Sequence, residues 1–210
     1  MSYAAVAGLL AAFLMASWQA APPNSLPGQT PVPNAERIES GEVHAAGGIS
    51  LHYNIRLLPV SSFPDLPPLV AAQLSRRRCM IPQSFEARQP ENVIHGAFRA
   101  AGSSDWAALC SSVGITTLYF FFAGQFESPV ALRSQPDSAW LAAEPGSSDF
   151  GSSWGIAVRS SAELLASPRL RHAANIDHDA IDDARLERSL VIHYYQEGKW
   201  LKLEPGGGSD

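Results

Sequence analysis

The run that most constrains this chain is its close, "SLVIHYYQEGKWLKLE", residues 189–204. Two segments rich in aromatic and branched residues flank Glu197-Gly198, a dipeptide suited to a two-residue hairpin turn. Such a loop sets Tyr195 opposite Trp200, Tyr194 opposite Leu201 and Ile192 opposite Leu203. Leu190, Ile192, Tyr194, Leu201 and Leu203 then share one buried face, and Val191, His193, Tyr195, Trp200 and Lys202 share a more amphipathic one.

The same period of two recurs upstream. In "ISLHYNIRL", residues 49–57, apolar positions alternate strictly with Ser50, His52, Asn54 and Arg56, which predicts a strand with one buried face. Residues 92–122 predict a three-stranded meander: "NVIHGAF", then "WAALCS", then "TTLYFFFA" after a Val113-Gly114 turn. "LYFFF" lacks polar alternation, so that strand is expected to be covered on both faces. Weaker strand patterns lie at 128–132 and 155–160.

Helical signals are short. Prolines open a helix expected over 67–77, and Arg76-Arg77-Arg78 stand at its C-terminal end, where cations complement the dipole. Ser160 and Glu163 have capping-box spacing ahead of a second helix that ends before Pro168. The expected fold is therefore α+β: a mainly antiparallel sheet built from a central meander and a C-terminal hairpin, with two or three short helices.

Ala4–Trp18 is an apolar run shorter than the roughly 20 residues of a membrane span, followed by small residues and the proline-rich "PPNSLPGQTPVPN". No Lys or Arg precedes it, and the spacing of small residues is imperfect for cleavage. We read residues 1–21 as a signal peptide or N-terminal anchor, 22–41 as a Pro-rich linker, 42–205 as a single domain and 206–210 as a flexible tail. The expected location is periplasmic or secreted. The chain has no Cys near position 20 to carry a lipid, so the membrane is a partner only through an uncleaved N-terminal segment. A net charge of −5 with one three-residue basic run argues against a nucleic-acid partner. In an exported chain the even count of Cys79 and Cys110 favours a disulfide, worth about 3–4 kcal/mol for a loop of this length; two buried thiols are the alternative.

Several patterns invite a chemical reading. "GSSWG", residues 151–155, fits G-x-S-x-G with Ser153 as nucleophile, and Asp177 or Asp179 and His193 follow in hydrolase order. The context is wrong, because a Ser/Gly/Pro-rich loop precedes and a strand pattern follows. "IDHDAIDD", residues 176–183, offers Asp177, Asp179 and Asp182 to a hard cation. It fails the EF-hand pattern, since Ile181 replaces a ligand and Asp182 replaces the turn glycine. Its better reading is a helix start, with Asp179 as N-cap, Asp182 in the capping-box place and Arg185 within i,i+3 reach of Asp182. His178 is not required by such a cap; with Tyr195 and Trp200 it is a candidate ligand contact. The six histidines form no H-E-x-x-H or H-x-H pair, and there is no phosphate-binding loop, so no cofactor is expected.

"CMIPQ" (79–83), "NVIHGAF" (92–98), "DWAALC" (105–110) and "DHDAIDDARLERSLVIHYYQEGKWLKL" (177–203) resemble a group of uncharacterised exported bacterial proteins. The resemblance implies export and a small α+β or β-rich domain, with Cys79 and Cys110 as the group's two cysteines; it brings no activity and no catalytic residues. "GAFRAAGSSDWAALC" (96–110) is also similar to hairpins of FG-GAP propeller blades, but it lacks their D-x-D-x-D-G loop, and neither that fold nor calcium is inferred. The expectation is an exported, non-enzymatic binding or envelope-associated domain. The alternatives are an extracytoplasmic hydrolase of serine or carboxylate type, or a metal-binding module.

Overall fold

The structure, a computed structural model, describes residues 34–44, 48, 50–143, 146, 149–172, 174–186 and 189–203, all within one compact unit. The apolar run at 4–18, most of the proline-rich segment and the 206–210 tail lie outside the described residues.

The chain forms strands β1 (Arg37–His44) and β2 (Ser50–Pro59), helix α1 (Pro68–Arg76), then strands β3 (Met80–Pro82), β4 (Val93–Gly96), β5 (Asp105–Ser112), β6 (Ile115–Phe121) and β7 (Val130–Pro136). Strands β8 (Leu141–Ala143), β9 (Phe150–Ser152) and β10 (Trp154–Arg159) follow, then helix α2 (Ser161–Ala166) and strands β11 (Ala180–Arg185), β12 (Ser189–Gln196) and β13 (Lys199–Leu203). The protein is thus sheet-rich, with two short α-helices among the described residues. Two sheets form where one was expected. The first runs β7-β6-β5-β3-β2-β9-β8, with β1 against β2 and β4 against β5; the second runs β10-β11-β12-β13. Pairing is antiparallel except for one parallel pair, Tyr53↔Phe150.

The apolar "LYFFF" run explains the layering. Leu118 and Phe120, with Ala107 and Leu109 from β5, join Phe98, Trp140, Trp154, Ile156 and Ile181 in a core between the sheets. Ala108, Cys110 and Phe121 point the other way, onto Val70 and Leu74 of α1. A strand buried on both faces needs no polar alternation. The C-terminal hairpin has the register expected, Ile192↔Leu203, Tyr194↔Leu201 and Tyr195↔Trp200. Its apolar face packs on Leu164 of α2, a helix opened by the reciprocal Ser160–Glu163 capping box.

Three local features depart from the expectations. β1 begins at Arg37, inside the segment read as linker, and pairs with β2 from Ser50 to Leu57. Gly41 there lies opposite Tyr53, whose ring folds over it; a Cβ would fall 2.6 Å from the Tyr53 hydroxyl and would displace that ring. The helix expected after Asp179 is instead β11. Ala180, Ile181 and Asp183 are buried while Asp182, Ala184 and Arg185 are partly exposed, close to the alternation of a strand, but with an aspartate in an inward position. Asp182 accordingly meets Arg159 on the neighbouring strand, 2.6 Å from Nη2, rather than Arg185.

α1 ends in a Schellman motif. Cys79 N–H donates to the Leu74 carbonyl and Arg78 N–H to that of Ser75, with Arg78 at φ 55°. This turn delivers Cys79 to Cys110, and the two are disulfide-bonded with Cα atoms 4.9 Å apart beneath the helix. Replacing both cysteines with alanine should lower unfolding free energy by about 2–4 kcal/mol, read by denaturant titration of oxidised wild type against the variant.

The β5–β6 turn places Val113 at φ 53° and Gly114 at φ 76°. A β-branched residue is strained there, and Val113, 93 % exposed, gains nothing from packing. Val113→Asn should therefore raise stability by about 1 kcal/mol, visible as an upward shift in Tm.

Candidate functional site

Two places bring chemistry-bearing side chains together. The first is sealed. Asp183, 1 % exposed, comes from the middle of β11 and faces the inter-sheet core. Its Oδ1 accepts from Trp154 Nε1 at 2.7 Å, and its Oδ2 lies 2.9 Å from His193 Nε2 and 3.2 Å from Arg133 Nη1. The Arg133 guanidinium also lies over the Trp140 ring, 4.4 Å from its centroid, and Trp140 stacks on Trp154. Burial pushes the Asp183 carboxyl up, but the His193 hydrogen bond and the Arg133 charge outweigh it and hold the group below the usual carboxylate range.

The histidine of the expected hydrolase order therefore takes Asp183 as its acid, not Asp177 or Asp179. Ser153 is wholly buried, its hydroxyl donates to the Trp140 carbonyl at 2.5 Å, and β10 follows it where an elbow needs a helix. His193 is 2 % exposed. The four acids of "IDHDAIDD" also diverge. Asp179 clasps Ala97, its Oδ2 accepting from Ala97 N–H at 3.1 Å and its own N–H donating to the Ala97 carbonyl at 3.0 Å. Asp182 holds Arg159, Asp183 sits in the core, and Asp177 turns to His178. Among the described residues no three His, Cys, Asp or Glu side chains are grouped to hold a metal ion.

The second place is open. A cleft of about 310 Å³ lies where the loop after β4, the segment before β11 and the β12–β13 turn meet; Arg99, Asp177, His178, Tyr195 and Glu197 are among its walls. The sequence candidates His178 and Tyr195 thus share one cavity. Trp200 stands behind it, edge-on to Tyr195 and Phe120. His178 is buried, stacks on Tyr194 with ring centroids 4.4 Å apart, and directs Nδ1 to Asp177 Oδ1 and the Tyr194 hydroxyl. Its Nε2 is buried with no hydrogen-bond partner. The hydrogen bond with His178, aided by one from Tyr194, holds the Asp177 carboxyl below its ordinary value.

Arg99 was not singled out in the sequence. Its side chain rests on Phe122, 5.6 Å from the ring centroid, and Tyr195 meets the same ring at 5.2 Å. Its backbone N–H donates to Asp105 Oδ2 at 2.9 Å, and Asp105 is itself fully buried. The only signal for Arg99 was its place after the "NVIHGAF" strand, beside turn residues. A second groove, about 400 Å³, is lined by Phe63, Leu66, Val93 and Trp106, with the His95 ring tilted at 34° against Trp106.

No family model, curated protein or solved structure matches the chain. Among the described residues no helix is long and apolar enough to cross a membrane.

Because its folded pKa is depressed, Asp183 contributes stability that is complete above the unfolded value of about 3.9 and lost as pH falls through the lower folded value. Asp183→Ala should cost about 3–5 kcal/mol at pH 7 by stranding Arg133 and the Trp154 N–H. Asp183→Asn should lose the wild-type fall in stability below about pH 4; denaturant titrations from pH 7 to pH 2 test both.

Proposed function

We propose that this chain is an exported, disulfide-stapled domain that binds a small polar ligand in the cleft walled by Arg99, Asp177, His178 and Tyr195. The carrying observation is that these side chains surround one open cavity, whereas Ser153 and His193 are committed to buried structural bonds. A cavity of this size, with a few converging polar groups and an aromatic wall, has the form of a small-molecule site. The converging charges of Arg99, Asp177 and Glu197 favour it over the larger Phe63–Trp106 groove, whose walls are mostly apolar or aromatic.

The Cys79–Cys110 bond supports an oxidising location, the periplasm or the exterior, as does the apolar N-terminal run. The resemblance of residues 79–83, 92–98, 105–110 and 177–203 to exported bacterial proteins points the same way. A binding role suits the cleft better than serine- or cysteine-type hydrolysis, since among the described residues no Ser, Thr or Cys lines it.

A ligand-observed NMR screen of polar metabolites, followed by amide-correlation spectra of the isotope-labelled protein with each hit, tests the reading. Hits should shift the Tyr195, Gln196 and Gly198 amides and weaken at least tenfold in Tyr195→Ala. Hits that map to the Phe63–Trp106 groove, or that Tyr195→Ala leaves unchanged, would sink it.

A further inference from the structure

We infer that the cleft takes a zwitterion, a free amino acid or short peptide, whose carboxylate meets Arg99 and whose ammonium meets Asp177; this rests on the cleft being the binding site. Arg99 and Asp177 line one cavity of about 310 Å³, yet among the described residues the Arg99 guanidinium makes no ion pair. Opposite charges in a shared cavity that do not close on each other leave a gap with a cationic and an anionic wall. A ligand carrying both charges complements both walls at once; a ligand with one charge leaves the other wall unanswered.

The walls are held for the purpose. The Arg99 backbone is fixed by Asp105, and its side chain lies on Phe122. A guanidinium held in this way keeps its planar fork of donors for a carboxylate. Asp177 Oδ1 is taken by His178 and Tyr194, and the carboxyl is 64 % exposed, open to a further partner. The His178 contact keeps the carboxyl ionised and so able to meet an ammonium. His178 serves the site through its Nδ1, which holds Asp177 Oδ1 in place at the wall. Glu197, exposed on the turn, adds a second negative charge at the cleft. The face of Tyr195 is left for the ligand's side chain.

Calorimetry with wild-type protein compares each amino acid, dipeptide and tripeptide with its N-acetylated and its amidated form. The zwitterion should bind at least tenfold tighter than either blocked form. In Arg99→Gln the preference for free carboxylate over amide should vanish, and in Asp177→Asn the preference for free amine over N-acetyl. The longest peptide that retains both preferences separates a free amino acid from a peptide ligand. If blocked and free forms bind alike in the cleft, the zwitterion class is overturned while the cleft remains the site. If no compound of any class perturbs the cleft amides, both readings fall.

Discussion

A single carboxylate, Asp183, decides how the two sheets meet. It sits on β11 of the smaller sheet and accepts from Trp154 and His193 within that sheet and from Arg133 across the gap. Packing of Phe, Leu and Trp side chains supplies the driving force between the layers, but such packing is forgiving of small slides. A buried ionic group is not forgiving, because every partner lost leaves a charge or polar atom stranded in low dielectric. The pair adds little net stability over an apolar substitute; what it adds here is a defined offset of one sheet on the other. Asn92 serves beside it. At φ 69°, its side chain donates to the Pro82 and Trp154 carbonyls and accepts from Ile156 N–H. The backbone of β3 is thereby joined to that of β10.

That arrangement explains which parts of the fold were legible. β2, the β5–β6 pair and the C-terminal hairpin carry their burial in plain apolar patterns, and the hairpin register followed from its two-residue turn. α2 was legible from Ser160 and Glu163 alone. β11 was not, because its key inward position holds an aspartate. A polar residue at an inward position reads as a surface residue until its partners are known, and Arg133 and His193 are 50 and 10 residues away. Four acids in eight positions then resemble a charged helix start. The true period of two was present, with Ile181 and Asp183 inward, but its second member had the wrong polarity to be counted. β1 was hidden for a related reason. It is largely exposed, and its fit to β2 depends on the close approach of Gly41 and Tyr53.

The candidate site was half legible. His178 stood out because the supposed cap did not need it, and Tyr195 because it faced Trp200 across the hairpin. Arg99 reaches the site through a loop that only the folded chain brings beside His178, and the contact between the sequence neighbours Asp177 and His178 has no pattern that announces it. Asp179, read as a cap or ligand, turns out to set one of those loops by clasping Ala97, two residues before Arg99.

β12 couples the sealed hub to the open cleft through three successive residues. His193 points into the inter-sheet core and meets Asp183. Tyr194 points the opposite way, stacks on His178 and binds the Asp177 N–H. Tyr195 returns to the first face and lines the cleft against Phe122. Alternation along one strand thus fixes the core contact, the support of one cleft wall and the wall opposite it in a single register. A slip of one residue would exchange the two faces, turning His193 away from Asp183 and Tyr195 away from the cleft. The carboxylate that aligns the sheets is thus tied through β12 to the strand that carries Tyr194 and Tyr195, so that the proposed ligand would meet walls already ordered.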